Sequence, residues 1–275
     1  MRNPYKIALC QMTVKPEKEQ NKRRAEELIK KAAENGANVV CLPEIWNCPY
    51  DIKQFGENAE TEDGPSVAFM SDIAKKHSIF LIGGSIPEKT VQKSGDCEKA
   101  RVYNTAFVFS PSGETIAKYR KSHLFDIDIE GKIKFKESDF FSAGEGITIF
   151  NTDYGKMGVA ICFDIRFPEM FRQMAKAGAE IVFLPASFNM TTGPVHWELL
   201  MKSRALDNQY YLAACASARD HEASYTSWGH SCVATPWGQY CSEADEKESI
   251  IYATIDPEYI SKIRKEIPVG NQASS

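Results

Sequence analysis

The stretch that decides the fold reads KMGVAICFDIRFPEMFRQMAKAGAEIVFLPAS and covers residues 156–187. Its apolar run at 159–161 predicts a buried strand that stops at Cys162. Pro168 and Glu169 then predict the start of a helix, because proline suits the first helical turn and a carboxylate suits its positive end. Cys162 is therefore expected where a strand gives way to a turn and a helix, a place where open α/β sheets usually carry their chemistry.

A thiol in that position can act as a nucleophile if neighbouring groups favour the thiolate. Most free cysteines are instead small buried hydrophobes, and the chain has eight of them. The sequence contains no CxxC pair and no metal-ligand spacing with histidine, so no metal site is predicted. The cysteines interpreted as structural thiols are Cys41, Cys48, Cys215, Cys232 and Cys241.

Bulk properties predict reduced thiols in the cytosol or another reducing compartment, with the cytoplasm as the expected location. Of the 275 residues, 43% are hydrophobic and 25% are charged, which is ordinary for a globular protein. The formal net charge of -4 gives no reason to expect a nucleic-acid or anionic-membrane partner. No apolar run approaches the ~18 residues that cross a bilayer, and the N-terminus lacks the apolar core of a signal peptide.

A helix–strand unit occurs twice in the sequence. Residues 35–44 read NGANVVCLPE and residues 177–186 read AGAEIVFLPA, each after a segment of helical pattern. We interpret this as an internal repeat within one α/β domain spanning residues 1–275. Its consequence is that Glu44 and Ser187 are expected just beyond the ends of two similar strands.

The remaining pattern alternates strands and helices. Residues 88–100 are charged and aperiodic, which predicts a surface loop, and residues 126–146 predict a long connection of the kind that is often functional. The other predicted strands are 5–13, 37–42, 79–82, 102–109, 115–119, 210–215, 231–235 and 249–255, and the other predicted helices are 17–34, one from Pro65, 195–208 and one from Pro257.

Three reactive or charged residues directly follow apolar strand runs: Glu44, Lys121 and Cys162. A carboxylate, an ammonium and a thiol together suit acyl transfer, because they supply a base, an oxyanion partner and a nucleophile. Simpler interpretations exist: Lys121 belongs to a basic run that water could solvate, and Glu44 could cap a helix. A Cys–His pair is the mechanistic alternative, and the candidate histidines are His123, His196, His221 and His230.

Three stretches resemble the signature motifs of the nitrilase superfamily of carbon–nitrogen hydrolases: LPE at 42–44, YRKSHL at 119–124 and GVAICFDIRFPE at 158–169. The resemblance implies a four-layer α-β-β-α sandwich, a homodimer and no cofactor. It also implies residue roles: Glu44 as general base, Lys121 as oxyanion stabiliser, Cys162 as nucleophile, the Phe163 N–H as a second oxyanion donor, and Glu137 as a further catalytic glutamate.

Further stretches resemble the ω-amidase branch of that superfamily: KSHLFDIDI at 121–129, SFNMTTGPVHWELL at 187–200 and SARD at 217–220. The resemblance implies hydrolysis of the terminal amide of α-keto dicarboxylic acid monoamides such as α-ketoglutaramate and α-ketosuccinamate. By position, Arg166 and Thr192 would hold the far carboxylate, with Tyr50 and Phe188 as pocket walls. A guanidinium can clamp a carboxylate through two hydrogen bonds. Without the resemblance, Arg166 would be expected to pair with Asp164 or Glu169.

Two departures from the branch are visible: Glu130 stands where a proline is common, and residues 267–275 lack the Arg-rich tail found in the family. The alternative functions are another amidase of the superfamily, acting on deaminated glutathione or an N-carbamoyl amine, a nitrile hydrolase, or a non-catalytic interaction module on the same fold. An intact set of Glu44, Lys121 and Cys162 favours an enzyme.

Overall fold

The structure, a computed structural model, describes residues 2–94 and 97–269, so the last six residues of the predicted short tail lie outside it. Its helices are α1 (Lys18–Glu34), α2 (Ile52–Asn58), α3 (Pro65–His77), α4 (Pro168–Lys176), α5 (Gly193–Asn208) and α6 (Pro257–Glu266). Its strands are β1 (Tyr5–Gln11), β2 (Val39–Cys41), β3 (Phe80–Ile82), β4 (Ile86–Ser94), β5 (Cys97–Phe109), β6 (Thr115–Arg120), β7 (Asp126–Ile129), β8 (Ile133–Lys136), β9 (Thr148–Thr152), β10 (Gly155–Val159), β11 (Ile181–Ala186), β12 (Tyr211–Ala216), β13 (Cys232–Ala234), β14 (Tyr240–Glu243) and β15 (Ser249–Ile255).

Two large sheets carry the fold. The first has the order β15-β1-β2-β3-β5-β4 with β6 added on β5, and the second has the order β14-β13-β12-β11-β10-β9. The two predicted repeat strands occupy corresponding places, because β2 lies between parallel β1 and β3 while β11 lies between parallel β10 and β12. The loops that follow β2 and β11 therefore start at equivalent positions, one in each sheet.

The side chains of β1 show how the layers stack. Ala8 and Cys10 pack in the core that contains α1 and α3, whereas Ile7 and Leu9 pack in the core that contains the second sheet with α4 and α5. Successive strand residues point to opposite faces, so the first sheet is covered by helices on one side and by the second sheet on the other. The predicted four-layer α-β-β-α sandwich is confirmed.

The predicted surface loop at residues 88–100 is wrong. This segment belongs to β4 and β5, which pair antiparallel along a long ladder that starts at Ile86 opposite Thr105; residues 95–96 lie outside the described chain. β4 is an edge strand of its sheet, so much of its surface meets water and its sequence has no apolar alternation. Backbone hydrogen bonds, which carry no sequence signature, hold it in place.

The predicted connection at 126–146 contains more structure than its sequence indicated. β7 and β8 form a separate two-stranded sheet, and a 3₁₀ turn at Glu137–Asp139 follows directly. Helix α2 and strands β9 and β14 were also not predicted. No helix within 2–94 or 97–269 has the length and apolarity needed to cross a lipid bilayer.

Candidate active site

Cys162 lies in a strained turn that fixes its direction. It opens a 3₁₀ turn, Cys162–Arg166, with a φ of 44°, a left-handed value that few residues with a side chain adopt. The Asp164 carboxylate accepts hydrogen bonds from the Ile161 N–H at 2.9 Å and from the Tyr119 hydroxyl at 2.8 Å. Asp164 therefore ties the cysteine turn to the end of β6, where Lys121 follows.

Lys121 is fully buried between two carboxylates. Its Nζ donates to Glu44 Oε1 and to Glu137 Oε2, each at 2.8 Å. Asn104 Nδ2 bridges the same pair, donating to Glu44 Oε1 at 2.9 Å and to Glu137 Oε1 at 3.0 Å. The interpretation of Lys121 as a solvated residue and that of Glu44 as a helix cap are therefore wrong, since both side chains are buried away from water.

The two sheets supply the two halves of the site. Glu44 follows β2 and Lys121 follows β6 in the first sheet, whereas Cys162 follows β10 and Ser187 follows β11 in the second. The Ser187 N–H lies 3.5 Å from Cys162 Sγ, so the ends of two neighbouring parallel strands meet at the thiol. The predicted placement of Glu44 and Ser187 beyond equivalent strand ends is confirmed.

Burial sets the proton affinities in this cluster. Burial, and next the charge of Glu44, raise the pKa of the Cys162 thiol well above its usual value. Burial also raises the pKa of Glu44, although the charge of Lys121 opposes this shift. For Lys121 burial lowers the pKa, but Glu137 and Glu44 outweigh it and hold the pKa well above the ordinary range. The arrangement therefore combines a protonated thiol, a carboxylate of increased basicity and a fixed ammonium.

One carboxylate oxygen remains free to act. Within the described chain, Glu44 Oε2 is buried and accepts no hydrogen bond, whereas Oε1 accepts from Lys121, from Asn104 and, at 3.4 Å, from the Tyr50 hydroxyl. A buried carboxylate oxygen with no donor can accept a proton from a nearby thiol or water. This is the geometry that a general base requires.

A narrow cavity opens beside Cys162. Its lining residues include Phe163, Arg166, Phe188 and Thr192, together with Phe125, Ser187, Asn189 and Tyr225. Ser187 and Tyr225 also line a second cavity, whose wall includes Glu44 and Tyr50. The structure thus brings all five predicted substrate-binding residues to two cavities that share Ser187 and Tyr225 as wall residues.

Arg166 has the environment of an anion-binding side chain. Its guanidinium carbon lies 5.5 Å from the ring centre of Phe163 and 5.4 Å from that of Phe188, and one terminal nitrogen lies 3.3 Å from Nδ1 of His196. Its Nε is buried without an acceptor among residues 2–94 and 97–269. The Asp164 carboxylate is instead occupied by Tyr119, Ile161 and His123. The alternative ion pairs with Asp164 or Glu169 are not formed in this part of the chain.

Three of the four candidate histidines contact groups other than the thiol. His123 Nδ1 lies 2.8 Å from Asp164, His196 contacts Arg166, and His230 Nδ1 lies 2.8 Å from the Trp228 carbonyl oxygen. In the described ranges, clusters of three or more His, Cys, Asp or Glu side chains that could hold a metal ion are absent. Four of the five cysteines interpreted as structural are buried, and Cys241 is exposed.

The family model for carbon–nitrogen hydrolases matches residues 6–265. The chain belongs to this family. Each of the three motifs that predicted this family brings one residue to the site. The stretch at 42–44 ends in Glu44, the stretch at 119–124 contains Lys121, and the stretch at 158–169 contains Cys162.

Relatives of this carbon–nitrogen hydrolase include proteins named ω-amidase NIT2. The Xenopus tropicalis protein is 47% identical over 268 residues, covering 98% of this chain and 94% of the relative. The Homo sapiens protein is 46% identical over 271 residues, covering 98% and 95%. Saccharomyces cerevisiae Nit3, a member of branch 10 of the nitrilase superfamily, matches with a TM-score of 0.89 and 40% identity, covering 99% of this chain and 97% of that chain. The predicted superfamily and ω-amidase branch are confirmed.

Two groups of this carbon–nitrogen hydrolase site were missed from the sequence. Asn104 joins the two carboxylates, but an asparagine inside a strand pattern gives no sign of its partners. The Tyr225 hydroxyl donates to the Ser187 carbonyl oxygen at 2.7 Å, and its ring packs against that of Tyr50 with the ring centres 4.7 Å apart and the planes tilted by 35°. It lies in the loop between β12 and β13, whose path the sequence does not determine.

Proposed function

We propose that this chain is an ω-amidase that hydrolyses the terminal amide of small α-keto dicarboxylic acid monoamides, such as α-ketoglutaramate and α-ketosuccinamate. The observation that carries the proposal is Arg166, which is half-buried, lines the cavity of Cys162 and has no acid partner in the described residues; its Nε is buried without an acceptor there. A partly buried cation with an unpaired donor favours an incoming counter-charge, and a substrate carboxylate would supply it. The ω-amidase relatives support the same assignment.

The reaction begins with attack of Cys162 Sγ on the amide carbonyl carbon. Glu44 accepts the thiol proton as the carbon–sulfur bond forms, and the carbonyl oxygen becomes an oxyanion. The proton then passes to the amide nitrogen, the carbon–nitrogen bond breaks, and ammonia leaves a thioester on Cys162. Water that gives its proton to Glu44 next attacks the thioester, which releases the dicarboxylic acid and restores the thiol.

The oxyanion of each tetrahedral intermediate needs fixed donors. We assign this role to Lys121 Nζ and to the backbone N–H of Phe163, which follows the nucleophile in the chain. The two carboxylates that hold Lys121 keep it protonated and immobile, so no reorganisation is needed when the oxyanion forms. Losing one such donor typically costs about 10² to 10³ in rate.

Glu137 completes the catalytic set in this proposal. Its Oε2 accepts from Lys121 and, at 2.6 Å, from the N–H of Phe125, so it links the lysine to the cavity wall. We infer that Glu137 orients Lys121 and balances its charge while Glu44 exchanges protons. Tyr50 and Phe188 would wall the bound substrate, and Thr192 and Arg166 would hold its far carboxylate.

The test is release of ammonia from α-ketoglutaramate by the purified protein and by Cys162→Ala. We expect turnover in the wild type and at least a ~10⁴-fold loss in the variant, since no other group can form the thioester. Cys232→Ala, which removes a buried thiol outside the cavity, serves as the matched control and should retain activity.

Two outcomes would contradict the proposal. Turnover that persists in Cys162→Ala would overturn the thiol mechanism. A folded wild-type protein whose Cys162 reacts with iodoacetamide, yet which releases no ammonia from α-keto amides, would overturn the substrate assignment. In that case deaminated glutathione and N-carbamoyl amines would be the substrates to try next.

We further propose a cytoplasmic homodimer. Reduced buried cysteines are compatible with a reducing compartment, and the charge balance gives no sign of a nucleic-acid partner. The exposed apolar side chains of Val195, Leu199 and Leu206 on α5 support self-association.

A further inference from the structure

Asn189 has a side chain whose orientation is fixed by its neighbours. It lies between β11 and α5, and its Oδ1 accepts hydrogen bonds from the N–H of Thr191 at 2.8 Å and the N–H of Thr192 at 2.9 Å. The Thr192 hydroxyl also lies 3.3 Å from the same oxygen. Because backbone N–H groups only donate, the atom facing them must be the oxygen, and Nδ2 must point away from this turn.

The amide nitrogen that points away makes no hydrogen bond of normal geometry. Asn189 is 4% exposed, and its buried Nδ2 has no well-placed acceptor in the described chain, although it lies near the Tyr225 hydroxyl. Native proteins leave few buried donors unpaired, and each such donor calls for an explanation. Its amide oxygen already accounts for the local turn, so the nitrogen needs a separate reason.

Asn189 lines the cavity that contains Cys162 and Arg166. Arg166 Nε is a second buried donor with no acceptor from the residues that the structure describes. Two unpaired donors in one small cavity beside a nucleophile indicate a ligand that brings several acceptor oxygens and no donors at that end. The carboxylate and the adjacent oxo group of a 2-oxo acid form such a set.

We propose that Asn189 Nδ2 donates a hydrogen bond to the 2-oxo oxygen of the substrate and thereby selects 2-oxo acid amides over 2-amino acid amides. The assignment rests on the proposed function. The edge of the Arg166 guanidinium can take both oxygens of the carboxylate, which leaves the oxygen on the next carbon for Asn189. A 2-ammonium group would instead turn its own donors towards these donors and leave all of them unpaired.

The variant that separates this role from a turn-forming role is Asn189→Ser. A serine hydroxyl oxygen can accept from backbone N–H groups two or three residues later, so the turn before α5 keeps an acceptor. The variant loses only the donor that points into the cavity. Asn208→Ser is the matched control, because Asn208 is a buried asparagine at the other end of α5 and does not line the cavity.

The experiment compares kcat/KM for α-ketoglutaramate and for glutaramate, which has a methylene in place of the 2-oxo group. We expect Asn189→Ser to lower kcat/KM about tenfold for α-ketoglutaramate and less than about twofold for glutaramate, because only the first substrate loses a hydrogen bond. Asn208→Ser should leave the ratio between the two substrates unchanged. Melting temperature and alkylation of Cys162 by iodoacetamide report whether each variant is folded.

Equal losses for both substrates, or no loss for either, would overturn the assignment to the 2-oxo oxygen. If Asn189→Ser melts far below the wild type, Asn189→Thr serves the same comparison, since its hydroxyl oxygen can also accept from the backbone N–H groups and it adds no charge to the cavity. The same selective loss for α-ketoglutaramate is expected there. A wild-type protein that hydrolyses neither substrate would instead overturn the proposed function. The ratio of kcat/KM between the two substrates does not test that function.

Discussion

Asn104 turns two mutually repelling carboxylates into one rigid group. Its Nδ2 and Lys121 Nζ each donate to both Glu44 and Glu137, so the four side chains form a closed ring of donors and acceptors. All four are buried, where an unpaired charge is expensive and a paired one is strongly oriented. Glu44 therefore keeps its free oxygen aimed in one direction.

Replacing Asn104 should change the orientation of the general base Glu44 while leaving Glu44 in the site. We expect Asn104→Ala to lower kcat of the amidase reaction about 10²-fold while KM changes less than about threefold, because Glu44 loses orientation and the substrate cavity is unchanged. The pH dependence of kcat should also shift, since the Asn104 hydrogen bond favours the charged form of Glu44. Steady-state kinetics over a range of pH would measure both effects.

The matched control for this residue is Asn208→Ala, which removes a buried asparagine outside the site. A kcat that stays unchanged in Asn104→Ala, or a fall that Asn208→Ala reproduces, would show that Asn104 has no particular positioning role.

The sequence motifs and their order in the chain were sufficient to predict some side chains of the site, but not others. Glu44, Lys121, Glu137 and Cys162 lie within recognisable stretches, and the structure brings all four together. Asn104 acquires its partners only when β5 is packed under the site. Its importance depends on hydrogen bonds to Glu44 and Glu137, which are distant in the chain, and a local pattern cannot reveal them.

At the element scale, β4 shows why the predicted loop failed. Its inward side carries Glu88, which is 1% exposed and therefore a poor sign of a buried strand. The carboxylate accepts from Arg120 at 2.7 and 2.8 Å and from the Thr105 hydroxyl at 2.7 Å, so it joins β4 to β5 and β6. Strands identified by apolar residues were predicted well, whereas this edge strand is held by backbone hydrogen bonds and by the ion pairs of Glu88, which give no apolar pattern.

The Glu88 cluster predicts how stability depends on pH. Burial raises the pKa of Glu88, but hydrogen bonds from Arg120 and Thr105 and the charge of Lys118 outweigh it and lower the pKa below its usual 4.5. The folded protein thus binds this proton less tightly than the unfolded chain. The stabilisation is complete above about pH 4.5 and is lost as the pH falls through the lowered, folded-state pKa.

Glu88→Gln should therefore lower the free energy of unfolding by about 2 kcal/mol at pH 7, less than for a fully buried pair because Arg120 is partly exposed. It should also lose less stability than the wild type when the pH is lowered from 7 to about 4. Thermal or urea unfolding at both pH values measures this, with Glu62→Gln, an exposed partner of Lys118, as the control. Identical pH dependence in Glu88→Gln and wild type would contradict the assignment.

At the scale of the whole molecule, α5 leaves an apolar stripe uncovered. Val195 and Leu199 are each 65% exposed, and Leu206 and Trp237 are 49% and 45% exposed. The three helix residues fall within about 40° of one another around the helix axis, and the Leu206 side chain lies beside Gly238, next to Trp237. Lys202 lies on the same face between Leu199 and Leu206, so the stripe is apolar at its two ends and not along its whole length. Exposed apolar side chains of this kind favour burial against another protein surface, and a second copy of the chain is the occupant we propose.

The double variant Val195→Glu and Leu199→Glu should convert the proposed dimer into a monomer, because paired charges would have to be buried against each other. Size-exclusion chromatography with light scattering would report the mass. Val91→Glu is the matched control, since Val91 is 51% exposed on a different element and should leave the mass unchanged. A wild type that runs as a monomer at micromolar concentration would overturn the dimer proposal.

Because the site is divided between two sheets, cutting the chain between its two halves would separate the groups that the reaction needs. Glu44, Lys121 and Glu137 all precede β9, whereas Cys162 and the loop with Asn189 come after it. A cut in the chain just before β9 would therefore give one fragment with the base and the ammonium and another with the thiol, and the second fragment would also carry β15, which pairs with β1 in the first sheet. Neither fragment could carry out half of the chemistry, because each step needs groups from both. Activity from such fragments would have to come from their reassociation, which makes turnover a direct report that the two sheets have docked face to face.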